Sequence, residues 1–379
     1  MNQIKLGIIG GGADSLIGIL HRVAAKMWDR YDISGGVFHP DFELNQQHAS
    51  QFGVDRSRVY PDFDTFVKEE SKKPDDQKIQ VVSVLTPNVL HYPMAKALLE
   101  NGFHVICEKP LTTSYKDAVE LESLQKKSGT VFAVTYTYTG YPIIRHMKHL
   151  LSEGYLGNIQ KVDMQYYQGW INSVIHDAEK CQGIWRLNPE VAGISSCIGD
   201  IGTHAFHMLE YLTNMEVSHL LADLNNLYDY NTLDVDGTIL LRFEGKAKGI
   251  IRASQIATGE ENNLSLAIYG DQGAFKWEQE NPNFLYHLQD DQPQKVIKPG
   301  HAYCSDFAND GSKLPAGHPE GIFDAMGNIY KGVAKAIRGE ESFDGEYPTL
   351  YQGKRGVLFV EKVVESHRDG NRWKSLKNS

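Results

Sequence analysis

Near the middle of the chain a carboxylate and an imidazole stand four residues apart, in Gly199-Asp200-Ile201-Gly202-Thr203-His204, and His207 follows three residues later. If this stretch opens a helix, Asp200 and His204 lie one turn apart on one face. Such a pair can do proton chemistry: a neutral imidazole near pH 7 accepts a hydroxyl proton, and a carboxylate orients it or steadies the imidazolium that forms. The pair can also ligate a metal together with His207. It can equally be bland, with Asp200 capping a helix or satisfying a buried histidine. The metal alternative is the weakest, because the third ligand follows too closely and no further acidic cluster accompanies it. The surrounding elements must decide among these.

The first of those elements is a strand, a glycine turn and a helix. The apolar run Ile4 to Ile9 ends in Gly10-Gly11-Gly12, and helical spacing continues from Leu16 through Val23, Ala24 and Met27. That is the context of a dinucleotide fingerprint: Gly10 permits the tight turn, and Gly12 lets a pyrophosphate approach the N–H groups of the helix start. Ser15 stands where the third glycine belongs. Serine is small enough for close packing, and its hydroxyl can reach a phosphate. An ordinary glycine turn is the alternative.

A second strand, Ile33 to Phe38, ends at His39 with Asp41 two residues on. A carboxylate there normally binds the adenosine ribose of NAD, so its displacement leaves NAD and NADP both open. Strand Val81–Leu85 then runs into Thr86-Pro87-Asn88, and strand Phe103–Cys107 into Glu108-Lys109-Pro110, with helices predicted over Tyr92–Leu99 and Ser114–Lys127 and a further strand at Val131–Val134. This alternation predicts an α/β fold with a doubly wound parallel sheet, whose ligand sits beyond the carboxyl ends of the strands. The candidate cofactor contacts are Gly10, Gly12, Ser15, Leu16, His39, Thr86, Asn88, His91, Glu108 and Lys109.

From Gly140 the texture changes. A helix over Ile143–Glu153 precedes a long strand, Ile159–Tyr167, and strand-like segments recur at Leu220–Tyr228, Thr238–Phe243, Gly249–Gln255, Leu264–Tyr269 and Ala274–Trp277. Asp, Asn and Gly turns separate them, which predicts an open, mostly antiparallel sheet in an α+β domain. The expected division is a dinucleotide-binding domain over 1–137 and a substrate-binding and oligomerisation domain over 138–379. The last helix, about Tyr351 to His367, carries an apolar stripe through Val357, Val360 and Val364 that reads as packing. The open sheet face is one that a partner subunit can cover.

Composition narrows the partners. The 379 residues carry a net charge of −10 without a long basic run, which argues against nucleic acid. The four cysteines are scattered without Cys-x-x-Cys spacing, so reduced thiols are expected rather than a metal knuckle or disulfide framework. Glycines and Asp14 break the N-terminal apolar run, and no stretch approaches a membrane span; a cytoplasmic protein is expected.

The N-terminal glycine turn, Thr86-Pro87-Asn88, Glu108-Lys109-Pro110 and Asp200-x-x-x-His204 together resemble, in order and rough spacing, the glucose–fructose oxidoreductase, inositol dehydrogenase and MocA (Gfo/Idh/MocA) family, over essentially the whole chain. Tyr138 to Pro142, Trp185-Arg186, Gly199 to His207 and Gly317-His318-Pro319-Glu320-Gly321 are most similar to the branch holding levoglucosan dehydrogenase and enzymes that oxidise position 3 of glucosides. The glycine turn departs from the commonest family form.

The resemblance implies a Rossmann domain and a second domain whose open sheet builds homodimers or homotetramers. It implies NAD(P)-dependent hydride transfer at a secondary alcohol of a sugar, anhydrosugar, glycoside or inositol, with Lys109, Asp200 and His204 as the catalytic set and no metal. For sugar recognition the candidates are Gln168, Trp185 and Arg186, with Tyr138, Tyr141 and His318 behind them: Trp185 can pack an apolar sugar face, and Arg186 can fork onto paired hydroxyls. Two rival functions share the fold. One is an enzyme that retains NAD and cleaves a glycoside by transient oxidation; the other is a non-catalytic NAD(P)-binding regulator, which has no need of the intact trio.

Overall fold

Strands buried on both faces need continuous apolar runs, and in the first half of the chain they are β1 (Ile4–Gly10), β2 (Tyr31–Val37), β3 (Val81–Leu85), β4 (His104–Cys107) and β5 (Phe132–Val134). In the computed structural model, which describes residues 3–377, they form a parallel sheet in the order β2-β1-β3-β4-β5. Helices α1 (Leu16–Met27), α2 (Phe42–Gln51), α3 (Phe63–Glu70), α4 (His91–Glu100) and α5 (Tyr115–Ser128) lie between the strands in sequence. Ser15, Asp41, Asp62 and Ser114 start four of them by accepting a backbone N–H of the first turn. Gly129, left-handed at φ 67°, stops α5.

The second half supplies α6 (Pro142–Ser152), β6 (Ile159–Tyr167), the short helices α7 (Ala178–Gln182) and α8 (Pro189–Ala192), and then α9 (Thr203–Thr213). The strands β7 (Val217–Asn225), β8 (Asp236–Phe243), β9 (Lys248–Ser254), β10 (Asn263–Gly270), β11 (Ala274–Glu278), β12 (Leu285–Leu288) and β13 (Lys295–Ile297) follow. Helices α10 (Asp306–Gly311), α11 (Ile322–Arg338) and α12 (Leu350–Arg368) and strand β14 (Lys374–Ser375) complete the described chain. Nine strands make the second sheet, in the order β13-β12-β11-β10-β6-β9-β8-β7-β14. Its pairs are antiparallel except β6 with β9. On β8, Gly237, Ile239, Leu241 and Phe243 are buried while Thr238, Leu240 and Arg242 are exposed, the alternation of a sheet covered on one face only. Val357, Val360 and Val364 of α12 are buried as packing residues.

The chain divides into two units, Met1–Gly140 with Ile322–Lys354, and Tyr141–Gly321 with Arg355–Ser379. A simple cut after residue 137 therefore misassigns 322–354. The reason is α11: Met326, Tyr330, Val333 and Ala334 enter the same core as Leu20, Ala24 and Ala25 of α1. A Cβ on Gly327 would stand 2.9 Å from the Met27 sulfur, so glycine is what lets the two helices approach. All four cysteines are buried without disulfides. Among the described residues no helix is long and apolar enough to cross a membrane.

Candidate active site

The nucleotide turn is built by exclusion of side chains. Gly10 and Gly11 hold φ of 83° and 63°, which an L side chain rarely adopts. A Cβ at Gly10 would lie 2.7 Å from the Leu85 carbonyl, and one at Gly12 2.8 Å from His48 Nδ1. The glycine that brings helix and turn together is Gly18, whose added Cβ would collide with the Gly11 carbonyl. Ser15 instead caps α1, its hydroxyl oxygen accepting the Gly18 N–H at 3.0 Å. Leu16 is 77% exposed at the helix start, and the first turn of α1 carries no acidic residue. A tight glycine turn leading into a helix N-terminus without negative charge fits a pyrophosphate.

At the end of β2, His39 Nδ1 accepts the Asp41 N–H at 3.0 Å, and its ring meets that of His48 edge-on at 5.6 Å. Asp41 caps α2, its Oδ1 accepting the Leu44 N–H at 2.9 Å.

At the end of β4 the structure separates neighbours that the sequence placed together. Glu108 is only 8% exposed, and its side chain faces inward. Its Oε1 accepts from His21 Nε2 at 2.9 Å and from the Thr135 hydroxyl at 2.5 Å, and its Oε2 from the Lys109 N–H at 3.2 Å. His21 Nδ1 lies 2.7 Å from the Tyr330 hydroxyl, which lies 2.7 Å from that of Ser83. Ser83, Tyr330, His21 and Glu108 thus form one buried chain of hydrogen bonds. Burial pushes the Glu108 carboxyl up, but the His21 bond and the nearby charges outweigh it and hold the pKa down to about 2. Lys109, half-buried, follows on this anchored backbone.

His91 is buried between two strand ends, with Nδ1 2.8 Å from the Pro110 carbonyl and Nε2 2.9 Å from that of Thr86. Burial lowers its pKa against the pull of the two carbonyls, and since both partners only accept, the neutral ring donates to one of them at a time. Thr86 and Asn88 bracket Pro87 where β3 gives way to a short 3-10 turn, Asn88–Leu90, ahead of α4. Sequence reasoning missed His21 and Tyr330. Their one available signal was a polar residue on the apolar face of each helix.

In the second unit Asp200 lies in a π-helical turn, Ile198–Gly202, that leads directly into α9 and His204. The turn is anchored from below. Asp234 Oδ1 accepts the Ser196 N–H at 3.1 Å and Oδ2 the Ile198 N–H at 2.8 Å, while Ser195 Oγ accepts the Gly199 N–H at 3.0 Å. Burial raises the Asp234 pKa, since its partners carry no full charge. Asp200 is not a helix cap. Its Oδ2 accepts from Gln255 Nε2 at 2.9 Å and pairs with Arg186 Nε at 3.4 Å. His204 is 8% exposed with its ring 6.3 Å from that of Tyr166. His207 is buried against Tyr211, and burial drives its pKa far below the ordinary value. Among the described residues, no group of three or more His, Cys, Asp or Glu is placed to hold a metal ion.

The model of an oxidoreductase family with an NAD-binding Rossmann fold matches residues 4–136, and that of the GFO/IDH/MocA C-terminal domain matches 144–276. The chain belongs to the Gfo/Idh/MocA family. It is 31% identical to the uncharacterized oxidoreductase YfiI of Bacillus subtilis, over 99% of this chain and 97% of the relative. It is 27% identical to the levoglucosan dehydrogenase of Pseudarthrobacter phenanthrenivorans, over 97% and 96%. An inositol dehydrogenase homologue from Azotobacter vinelandii, solved with NAD+ and with NADH and myo-inositol, is 32% identical. Its TM-scores are 0.92 and 0.90, covering 99% of this chain and 97% and 98% of the homologue. The protein is thus an NAD-binding oxidoreductase of the sugar and polyol dehydrogenase class.

The residues singled out for the substrate of this Gfo/Idh/MocA enzyme fall in different places. Arg186 stacks over Trp185, 4.4 Å from guanidinium to ring, and turns to Asp200. Gln168 donates to Asn262 Oδ1 at 2.9 Å and accepts from Trp170 Nε1 at 3.1 Å; its backbone N–H bonds Ser254, the residue before Gln255. Tyr141 is 2% exposed with its ring 5.8 Å from that of Trp277, a packing position, and Tyr138 is likewise buried. His318 is exposed in the 280–320 loops, lining a cleft of about 400 Å³ with Phe284, Lys298 and Glu320. Arg186 and, through it, Trp185 thus stand beside Asp200, while Gln168 bonds the side chains of Asn262 and Trp170.

Proposed function

We propose that the protein oxidises a secondary alcohol of a cyclic polyol or sugar, with Asp200 and His204 handling the proton and Lys109 the charge on oxygen. The observation that carries this is the Asp200 carboxylate, held by Gln255 and Arg186 on the very turn that delivers His204. The relatives act on, or were solved with, ring compounds bearing vicinal hydroxyls, levoglucosan and myo-inositol.

When bound, NAD supplies the acceptor for the hydride. Gly10, Gly12 and the start of α1 would hold its pyrophosphate, and Lys109 its nicotinamide ribose. His204 takes the hydroxyl proton. Asp200 binds a neighbouring hydroxyl and steadies the imidazolium, and Lys109 donates to the oxygen as negative charge develops there. Trp185, fixed under Arg186, offers an apolar face to the ring.

The test follows reduced-nicotinamide absorbance with NAD and with NADP against inositols, aldoses, anhydrosugars and glycosides. Reduction with at least one polyol or sugar is expected. Release of an aglycone without net reduction would replace this function by oxidation-assisted glycoside cleavage. His204→Ala is expected to cut kcat by about two to four orders of magnitude while NADH still binds. Wild-type turnover in that variant would remove His204 from the mechanism.

A further inference from the structure

We infer that Gln255 is a positioning residue that, with Arg186, sets the orientation of the Asp200 carboxylate. This rests on the role proposed for Asp200 above. Gln255 is fully buried at the end of β9. Its N–H donates to the Val235 carbonyl at 2.8 Å, and its carbonyl accepts the Ile171 N–H at 3.2 Å, so the amide rises from a fixed base. The amide nitrogen must be the group facing Asp200, because an ionised carboxylate only accepts. Gln255 Oε1 has no protein hydrogen-bond partner among the described residues. For packing alone, a leucine or methionine of similar size would serve equally well there.

Gln255 and Arg186 meet the same oxygen, Oδ2, from different elements, and they differ in kind. Gln255 is rigid and neutral and fixes direction. The Arg186 side chain is 35% exposed and supplies opposing charge, screened by solvent. Both sides of the clamp hang from one dipeptide. Asp234 grips the turn that bears Asp200, through Ser196 and Ile198, and Val235 grips Gln255. The backbones that carry amide and carboxylate are thereby held to the same two residues.

The experiment compares Gln255→Leu, Gln255→Glu, Asp200→Asn and the double variant Gln255→Leu/Asp200→Asn in the full-length enzyme with NAD. Gln255→Leu is expected to lower kcat about ten- to hundredfold, the worth of one hydrogen bond to a charged group. KM and NADH binding should change little. Gln255→Glu keeps the side-chain size and places a like charge beside Asp200, so the acid limb of the pH–kcat profile should move to higher pH by about one unit or more. In the Asp200→Asn background, Gln255→Leu should cost no further activity. Wild-type kcat in Gln255→Leu, or the same proportional loss with and without Asp200, would overturn the inference by making Gln255 merely structural. Should Gln255→Leu not fold, an unshifted profile in Gln255→Glu overturns it as well. An active Asp200→Asn enzyme would instead sink the role of Asp200 itself. An inactive one beside a fully active Gln255→Leu sinks the clamp alone.

Discussion

Each unit holds one buried carboxylate beneath its chemical motif, and the two are managed in opposite ways. Glu108, under Lys109, has an imidazole and a hydroxyl as partners, and its pKa is held down to about 2. Asp234, under Asp200, binds chiefly backbone N–H groups, and burial raises its pKa. A strong side-chain donor and nearby positive charge make up for the water that Glu108 loses, whereas neutral amide dipoles do so only in part. Yet both carboxylates do the same mechanical work: each binds the backbone that carries a residue of the proposed mechanism. Shape comes from the enclosed acids, and the proposed chemistry from the half-exposed Lys109 and Asp200 above them.

This contrast can be broken first at Asp200. Asp200→Asn should lower kcat by about two to four orders of magnitude with the thermal midpoint within a few degrees of wild type. A large drop in midpoint with intact specific activity would put Asp200 on the structural side. Glu108→Gln should do the reverse. Removing one partner of a buried polar pair costs about 3–5 kcal/mol, read as a lower urea midpoint for the first unit by limited proteolysis or hydrogen exchange. Asp234→Asn should be milder, about 1–3 kcal/mol, because asparagine keeps one acceptor but turns an NH2 group against the other N–H.

The smallest effect sharpens the contrast through pH. The folded pKa of Glu108 is depressed, so its stabilisation is present above the unfolded value, near 4.5, and is lost as pH falls toward about 2. Asp234 is raised, so in its own window the folded state binds more protons than the unfolded one, and stability falls as pH rises. Urea unfolding between pH 6 and 3 should therefore flatten on the acid side in Glu108→Gln. Asp234→Asn should leave or steepen that slope. Equal slopes in both variants would erase the distinction.

Much of the architecture was legible in the residues themselves. The largely apolar runs at β1 and β3 announced a sheet buried on both faces, and β6 matched its expected bounds because Asn158 and Gln168 flank it. Less legible was a side chain with two uses: Ser15, read for close packing and for phosphate, also caps α1, and Asp41 caps α2. Glu108 belongs to a motif beside the cofactor site, and nothing in Glu-Lys-Pro tells that its first member points inward.

By itself the amino-acid sequence determined which local conformations are open: where glycine frees φ, where apolar periodicity makes strand or helix, and which residue types can move a proton. Those are properties of neighbours along the chain. Only the tertiary structure decided that His21, Tyr330 and Ser83 stand behind Glu108, that Gln255 and Arg186 share one oxygen of Asp200, and that α11 returns to the first unit. These partners are separated by roughly 50 to 310 residues or come from different elements. Their meeting follows from which faces must be buried together, and no local pattern encodes it.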